Sequence, residues 1–146
     1  MKLNHLPRFF QLPNSDRAAL LKAAPILLGT VAGLHLLGLK RTLWLLDRIP
    51  LSRRPSDGAT GLVAREHRAV ERVSRATGLG TCLSRSLALY PWLRRQGIDA
   101  QLRIGVHKDG HGLTAHAWLE SGGEAIGGQA SGQYQPFSPI RVGRPG

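Results

Sequence analysis

The sequence predicts an α+β fold in which helices come first and a short antiparallel sheet follows. Apolar residues recur at helical spacing in residues 59–77 and again in residues 82–96. Runs that alternate apolar and polar side chains then occupy residues 101–108 and 113–120. The Gly-rich segments KDGHG and SGG separate these runs, as is typical of antiparallel strands joined by tight turns.

Length and composition indicate a globular protein built on one core. The chain has 146 residues, of which 42% are hydrophobic and 20% charged, enough for one domain with an appendage. The single cysteine, Cys82, excludes an intrachain disulfide and a Cys-based zinc cluster, and it suits a reducing compartment. Because the first apolar run begins only after Asp16, no secretory pattern is present and we expect a cytoplasmic protein.

The net charge of +11 belongs mainly to the first half of the chain. Residues 1–78 carry 13 Lys and Arg against 5 Asp and Glu, whereas residues 79–146 carry 7 against 4. Such an excess can bind nucleic acid, an anionic membrane surface or an acidic partner. Because no nucleic-acid signature accompanies it, the charge favours a protein partner or a membrane surface. A solvated basic face is the alternative that charge alone leaves open.

Composition divides the chain into residues 1–58, a helical N-terminal region with a linker, and residues 59–146, the core. The segment PLSRRPSDG at 50–58 is rich in the residues that favour turns and linkers. After the helix over residues 59–77, Gly78 provides a helix stop.

The N-terminal region is predicted to contain two successive helices. Ser15 or Asp16 can cap the first, and Pro25 is suited to the first turn of the second. Residues 25–39, PILLGTVAGLHLLGL, are apolar on every side but number only about 15, against the ~20 that a membrane span needs. We therefore expect a buried or interface helix that serves as a docking surface for a partner or a membrane.

Cys82 is the first candidate catalytic residue. With Thr81 as N-cap and Gly97 as the stop, Cys82 opens a helix. Unpaired backbone N–H groups and the positive end of the helix dipole favour a thiolate at that position. Arg85, one turn later, can add positive charge and contact substrate. From position alone, a buried structural cysteine is the stronger alternative.

His116 is the second candidate, as the base for a cysteine nucleophile. In a strand it shares one face with Thr114, Trp118 and Glu120, and Trp118 is a candidate for substrate contact. A solvent-facing strand histidine is the alternative when His116 is considered alone. A helix-start cysteine followed by a strand histidine favours acyl transfer through a thioester.

No cofactor is expected in this chain. His107, His111 and His116 lie within ten residues, but a hairpin would leave the first two near its turn and the third further along its strand. Convergence on a metal ion is therefore not expected, and the sequence contains no Walker-type phosphate-binding loop.

The segment from Gly80 to Ile140 resembles a known family in several distinctive motifs. These are TCLSRSLAL around Cys82, LRRQGIDAQLRIGV at 93–106, AHAWLE around His116, and the flanking KDG and AIGG. Together they are similar to the transglutaminase-like leader peptidases of lasso-peptide biosynthesis, of the microcin-processing type.

The resemblance implies a papain-like, transglutaminase-core fold in which the nucleophile helix packs on a short antiparallel sheet. It implies that Cys82 and His116 remove the leader from a ribosomally made precursor peptide. As a stand-alone peptidase, the chain would work with a PqqD-like leader-recognition protein and an asparagine-synthetase-like macrolactam synthetase. Two alternatives stay open: a non-catalytic subunit that docks on a partner or membrane, and an acyl transferase on the same core.

The sequence departs from this family at the third catalytic position. Some members place an Asp twelve residues after the His, where this chain has Gly128. Gln129 and Glu124 are the candidates to orient the imidazole instead. Glu120 is ~13 Å away along its strand, which is too far for a hydrogen bond to His116. We therefore expect a Cys–His dyad with an amide or backbone orienting group.

Overall fold

The computed structural model describes residues 13–51, 59–127 and 133–137. These residues form the predicted α+β architecture, with a helical N-terminal region and a curled antiparallel sheet. The helices and strands are α1 (Asn14–Asp47), α2 (Ala59–Thr77), α3 (Cys82–Arg95), β1 (Gln101–Asp109), β2 (Gly112–Ser121), β3 (Glu124–Ala125) and β4 (Gln135–Pro136).

The sheet has the strand order β3-β2-β1-β4 with antiparallel pairing throughout. Its centre is the β1–β2 hairpin, which places Gly105 directly opposite His116. Gly105 also pairs with Pro136 of β4. Since side chains alternate along a strand, Ala117 and Leu119 face the core and His116 lies on the other face of β2.

The ends of α3 lie where its sequence predicted them. Thr81 and Ser84 form a reciprocal capping box, in which each backbone N–H donates to the other side chain at 2.8 and 3.4 Å. After the last turn, Gly97 adopts a φ of 76° and the N–H of Ile98 donates to the carbonyl of Leu93 at 2.9 Å. Local capping chemistry therefore fixes the start of the helix at Cys82.

The prediction for the N-terminal helices was wrong in two respects, the position of the break and the N-cap, for which Ser15 or Asp16 was expected. The helix continues through Pro25, and the backbone leaves helical geometry at Gly38 instead, with φ 77° and ψ 172°. Glycine reaches this left-handed φ without a Cβ clash. Pro25 has no N–H to donate to the carbonyl four residues earlier, but Pro25 is exposed, so that carbonyl lies near solvent. The N-cap is Pro13, with no side-chain cap.

Beyond Gly38 the second arm of α1 folds back along the first. A Cβ on Gly33 would lie 3.3 Å from Oγ1 of Thr42, although nine helical residues would separate them by ~13 Å in a straight helix. Thr42 also donates to the carbonyl of Gly38 at 2.8 Å. The element is therefore a tight helical hairpin.

The hairpin shares one hydrophobic core with the rest of the described chain. Buried members of this core come from every layer: Ala19, Ala23, Leu27 and Leu43 from α1, Ala69 and Val70 from α2, Leu87, Ala88 and Leu93 from α3, and Leu102, Ala117 and Leu119 from the sheet. The division of the chain at residue 58 stays a prediction, and residues 52–58 lie outside the described ranges.

Among the described residues, α1 is the helix that is long and apolar enough to cross a membrane, judged by length and composition only. Only 17% of its most apolar window is buried inside the protein. Further residues of this helix, including Ile26, Val31 and Leu34, are partly buried against the core, and the exposed leucines Leu28 and Leu36 remain available to another surface.

Candidate functional site

A narrow cleft lies where the start of α3 meets β2, with α2 along one side, and it is lined by residues from both faces of β2. Cys82 and His116, the two residues predicted to react together, both line it. The other lining residues are His67, Val70, Glu71, Arg85, Ser86, Leu89, Ala117, Trp118, Leu119 and Ile126. The free space inside is about 20 Å³, enough for about one water molecule. A peptide that reaches Cys82 would therefore lie along the mouth of the cleft.

The turn between α2 and α3 sets the position of Cys82. Gly80, two residues earlier, has a φ of 92°, and a Cβ there would lie 2.9 Å from Oγ of Ser84. The hydroxyl of Ser74 donates to the carbonyl of Leu79 at 2.6 Å, which ties the turn to α2. The half-buried, free thiol of Cys82 is therefore carried on the first turn of a well-anchored helix.

A direct hydrogen bond fixes α3 against β2 beside the two candidate residues. Ser86, one turn after Cys82, donates its hydroxyl to the carbonyl of Ala117 at 3.0 Å. Because Ala117 follows His116 in the strand, this bond sets the nucleophile helix and the histidine at the same level of the cleft.

Aromatic rings hold the imidazole of His116. The ring of Tyr134 stacks on it with centroids 5.0 Å apart and planes at 30°, and Trp118 lies 6.1 Å away with planes at 17°. Gly105 makes this possible, because a Cβ there would lie 2.9 Å from Cη2 of Trp118 and 3.0 Å from the carbonyl oxygen of Gln135. Ring contacts, not an acidic side chain, orient His116 among the described residues.

The positive charge of Arg85 is already paired. Its Nη1 lies 3.0 Å from Oε2 of Glu71, and its Nε donates to the carbonyl of Thr81 at 3.4 Å. Trp118, the other predicted substrate contact, is only 3% exposed. In this structure both side chains build the wall of the cleft, and their contact with substrate stays a prediction.

Of the two candidate orienting residues, only Glu124 belongs to the part of the chain that the structure describes. Glu124 is exposed on β3 and is not among the lining residues. Gln129 lies outside the described residues, as does Gly128. Glu120 forms an ion pair with Arg103 at 3.1 Å. The identity of a third group therefore stays a prediction.

His67 is the cleft residue that the sequence analysis missed. It projects from α2, and a Cβ on Gly127 would lie only 2.7 Å from its Nε2, so the turn after β3 lies against the imidazole. Burial lowers the pKa of His67, Glu71 opposes that shift, and the charges of Arg85 and Arg68 reinforce it. A signal was present, because His67 lies on the apolar stripe that Val63 and Val70 define at helical spacing.

A helix that begins at a cysteine, packed on a curled antiparallel sheet whose histidine lines the same cleft, defines a papain-like core of the kind used by cysteine peptidases and acyltransferases. In a comparison with protein families, residues 26–142 match the model of the transglutaminase-like superfamily, and the chain belongs to this superfamily. The comparisons with curated proteins and with solved structures gave no match.

Proposed function

We propose that this protein is a cysteine peptidase that removes the leader from a ribosomally synthesised lasso-peptide precursor. The observation that carries the proposal is the shared cleft of Cys82 and His116. Membership of the superfamily supports a thiol-dependent peptidase or acyltransferase. The motifs around these two residues favour the leader peptidases within that range.

In the proposed reaction, His116 takes the thiol proton and the thiolate attacks the carbonyl carbon of the last leader residue. The backbone N–H of Cys82 donates to the developing oxyanion. Collapse of the tetrahedral intermediate breaks the C–N bond, and His116 returns the proton to the departing amine. Water then gives a proton to His116 and attacks the thioester, which releases the leader acid and restores the thiol.

The histidine in this scheme works mainly as one half of a dyad. Stacking on Tyr134 and Trp118 restricts rotation of the imidazole, and Gln129 or Glu124 would supply a further orienting hydrogen bond. Arg85, beside the nucleophile, would contact the substrate backbone. The chain needs no cofactor for this chemistry.

The narrow cleft supports recognition of the leader outside it. We propose that a PqqD-like protein presents the precursor to this peptidase and that an asparagine-synthetase-like macrolactam synthetase uses the released core peptide. A cleft of about 20 Å³ can position only the scissile bond. The recognition protein would position the rest of the precursor by binding its leader.

The test is cleavage of a precursor peptide by variants of the two proposed catalytic residues. Cys82→Ala should abolish cleavage, and His116→Ala should slow it by about 10³-fold or more, because each removes a chemical partner. Thr114→Ala is the matched control, since Thr114 is exposed on the same strand. Mass spectrometry of the products measures the rate. A Cys82→Ala protein that still releases the leader would refute the proposal.

Two other functions predict different outcomes in the same assay. An acyl transferase, which the superfamily also supports, would join the leader acyl group to an added amine. A peptidase would instead release the leader as a free acid, which carries the added water. A non-catalytic docking subunit would give no cleavage even with the recognition protein present. In that case Cys82 should react with iodoacetamide at pH 6 no faster than an ordinary thiol.

A further inference from the structure

We propose that the α1 hairpin docks on an anionic lipid surface through its bend. The bend tip, defined as residues 35–41, combines exposed leucines with exposed basic side chains. This inference concerns a surface away from the cleft and does not depend on the proposed peptidase activity.

The apolar part of this surface is large and aliphatic. Leu36 is 81% exposed and Leu37 is 41% exposed, immediately before Gly38. Leu28 and Leu21 extend the same helix face at spacings of eight and seven residues, and they are 52% and 66% exposed. An exposed stripe of this kind marks a surface that another apolar phase covers.

A groove between the two arms of the hairpin adds to this surface. Its volume is about 330 Å³, and its lining is almost wholly apolar. Gly29 leaves space along the first arm, since nothing lies within 4 Å of its Cβ position, while Leu37 and Leu45 flank the groove from opposite arms. The groove therefore continues the apolar stripe toward the bend.

Basic side chains accompany the leucines at the bend. Lys40 and Arg41 are both exposed and lie two and three residues after Gly38. In residues 13–51 the acidic groups are Asp16 and Asp47, and Asp47 is already engaged by Tyr90 and Arg94. A positive rim beside an apolar surface complements the negative headgroups of an anionic bilayer.

The composition favours a lipid surface over a protein partner. The exposed stripe consists of leucines with Pro25, Gly29 and Ala32, whereas Trp, Tyr and Arg usually dominate the energetics of protein interfaces. The hairpin would lie on the bilayer and not cross it, because its other face, with Ala19, Ala23 and Leu27, is part of the protein core.

Co-sedimentation of the full chain with lipid vesicles tests this inference. Vesicles of phosphatidylcholine mixed with phosphatidylglycerol should bind the protein, and binding should weaken as salt is added. Replacing both basic residues, Lys40→Gln with Arg41→Gln, should reduce the affinity about 30-fold, at ~1 kcal/mol for each lost charge. Equal binding to vesicles of phosphatidylcholine alone would overturn the anionic requirement.

The apolar contribution has its own matched pair of variants. Leu36→Glu with Leu37→Glu should abolish vesicle binding. Leu113→Glu should preserve it, because Leu113 is 70% exposed but belongs to a different element, next to the turn of the β1–β2 hairpin. Circular dichroism checks the fold of each variant. Absence of vesicle binding by the wild-type chain would overturn the lipid proposal. So would self-association or a partner complex that is disrupted by the leucine substitutions but not by the Lys40 and Arg41 substitutions.

Discussion

Gly105 is the residue whose missing side chain shapes the surroundings of His116. It lies opposite His116 in the sheet, and both the edge of the Trp118 ring and the carbonyl oxygen of Gln135 approach the space that a side chain would occupy. No left-handed φ is involved at this position. Its role is steric, because the absence of a Cβ lets the ring and strand β4 come close together.

We expect Gly105→Ala to disturb both stability and catalysis. A methyl group 2.9 Å from Cη2 of Trp118 overpacks the sheet, at a typical cost of about 1–3 kcal/mol in the free energy of unfolding. Displacement of Trp118 and Tyr134 should also slow precursor cleavage. Gly110→Ala is the control, because nothing lies within 4 Å of its Cβ position. Equal urea midpoints for the two variants would contradict this reading.

At the scale of whole elements, a polar cluster fastens the end of α1 to α3. The phenol of Tyr90 donates to Oδ1 of Asp47, and Nη1 of Arg94 lies 3.6 Å from the same carboxylate. Nε of Arg94 also donates to the carbonyl of Ile49 at 2.6 Å. The N-terminal hairpin is thus tied to the helix that carries Cys82.

Features set by local sequence signals could be predicted, whereas contacts between distant residues, such as this cluster, could not. The start of α3 at Cys82 followed from the Thr81 cap, and the β1–β2 hairpin followed from alternation and glycine turns, because these signals are local. The fold-back at Gly38 was missed, because proline is the usual helix breaker and the break was therefore expected at Pro25. The contact between Gly33 and Thr42, which accompanies the fold-back, has no local sequence signal. The contact between Tyr90 and Asp47 joins residues 43 apart, beyond the reach of any local pattern.

Tyr90→Phe should loosen the α1–α3 attachment. A hydrogen bond to a charged group contributes about 1.5–3 kcal/mol, and we expect the lower end because Asp47 keeps Arg94 and some solvent contact.

Burial and the Asp47 carboxylate raise the pKa of Tyr90 to about 12. Wild-type stability should therefore fall between about pH 10 and 12, as the unfolded state ionises first. Urea unfolding measured at pH 8 and pH 11 should therefore show a smaller loss of unfolding free energy for Tyr90→Phe than for wild type.

For the molecule as a whole, the pH dependence of stability should reflect Glu66, an acidic side chain of α2 that is buried in a chain of net charge +11. Glu66 is only 4% exposed, and its Oε2 has no hydrogen-bond partner among the described residues. Burial raises the pKa of Glu66, and the positive charges of Arg65 and Lys22 partly oppose that shift. The folded state therefore holds this proton more tightly than the unfolded state does.

Glu66→Gln should consequently change how stability depends on pH. The contribution of Glu66 to the free energy of unfolding is fully present below its unfolded pKa of about 4.5. It is lost as pH rises through the raised folded value. The variant has no carboxylate to ionise, so its melting temperature relative to wild type should rise from pH 4 to pH 8. His67→Gln provides a control of opposite sign, because the lowered pKa of His67 makes wild-type stability fall as the solution is acidified below about pH 6.5. Parallel wild-type and Glu66→Gln profiles would show that burial of this carboxylate does not govern the pH response.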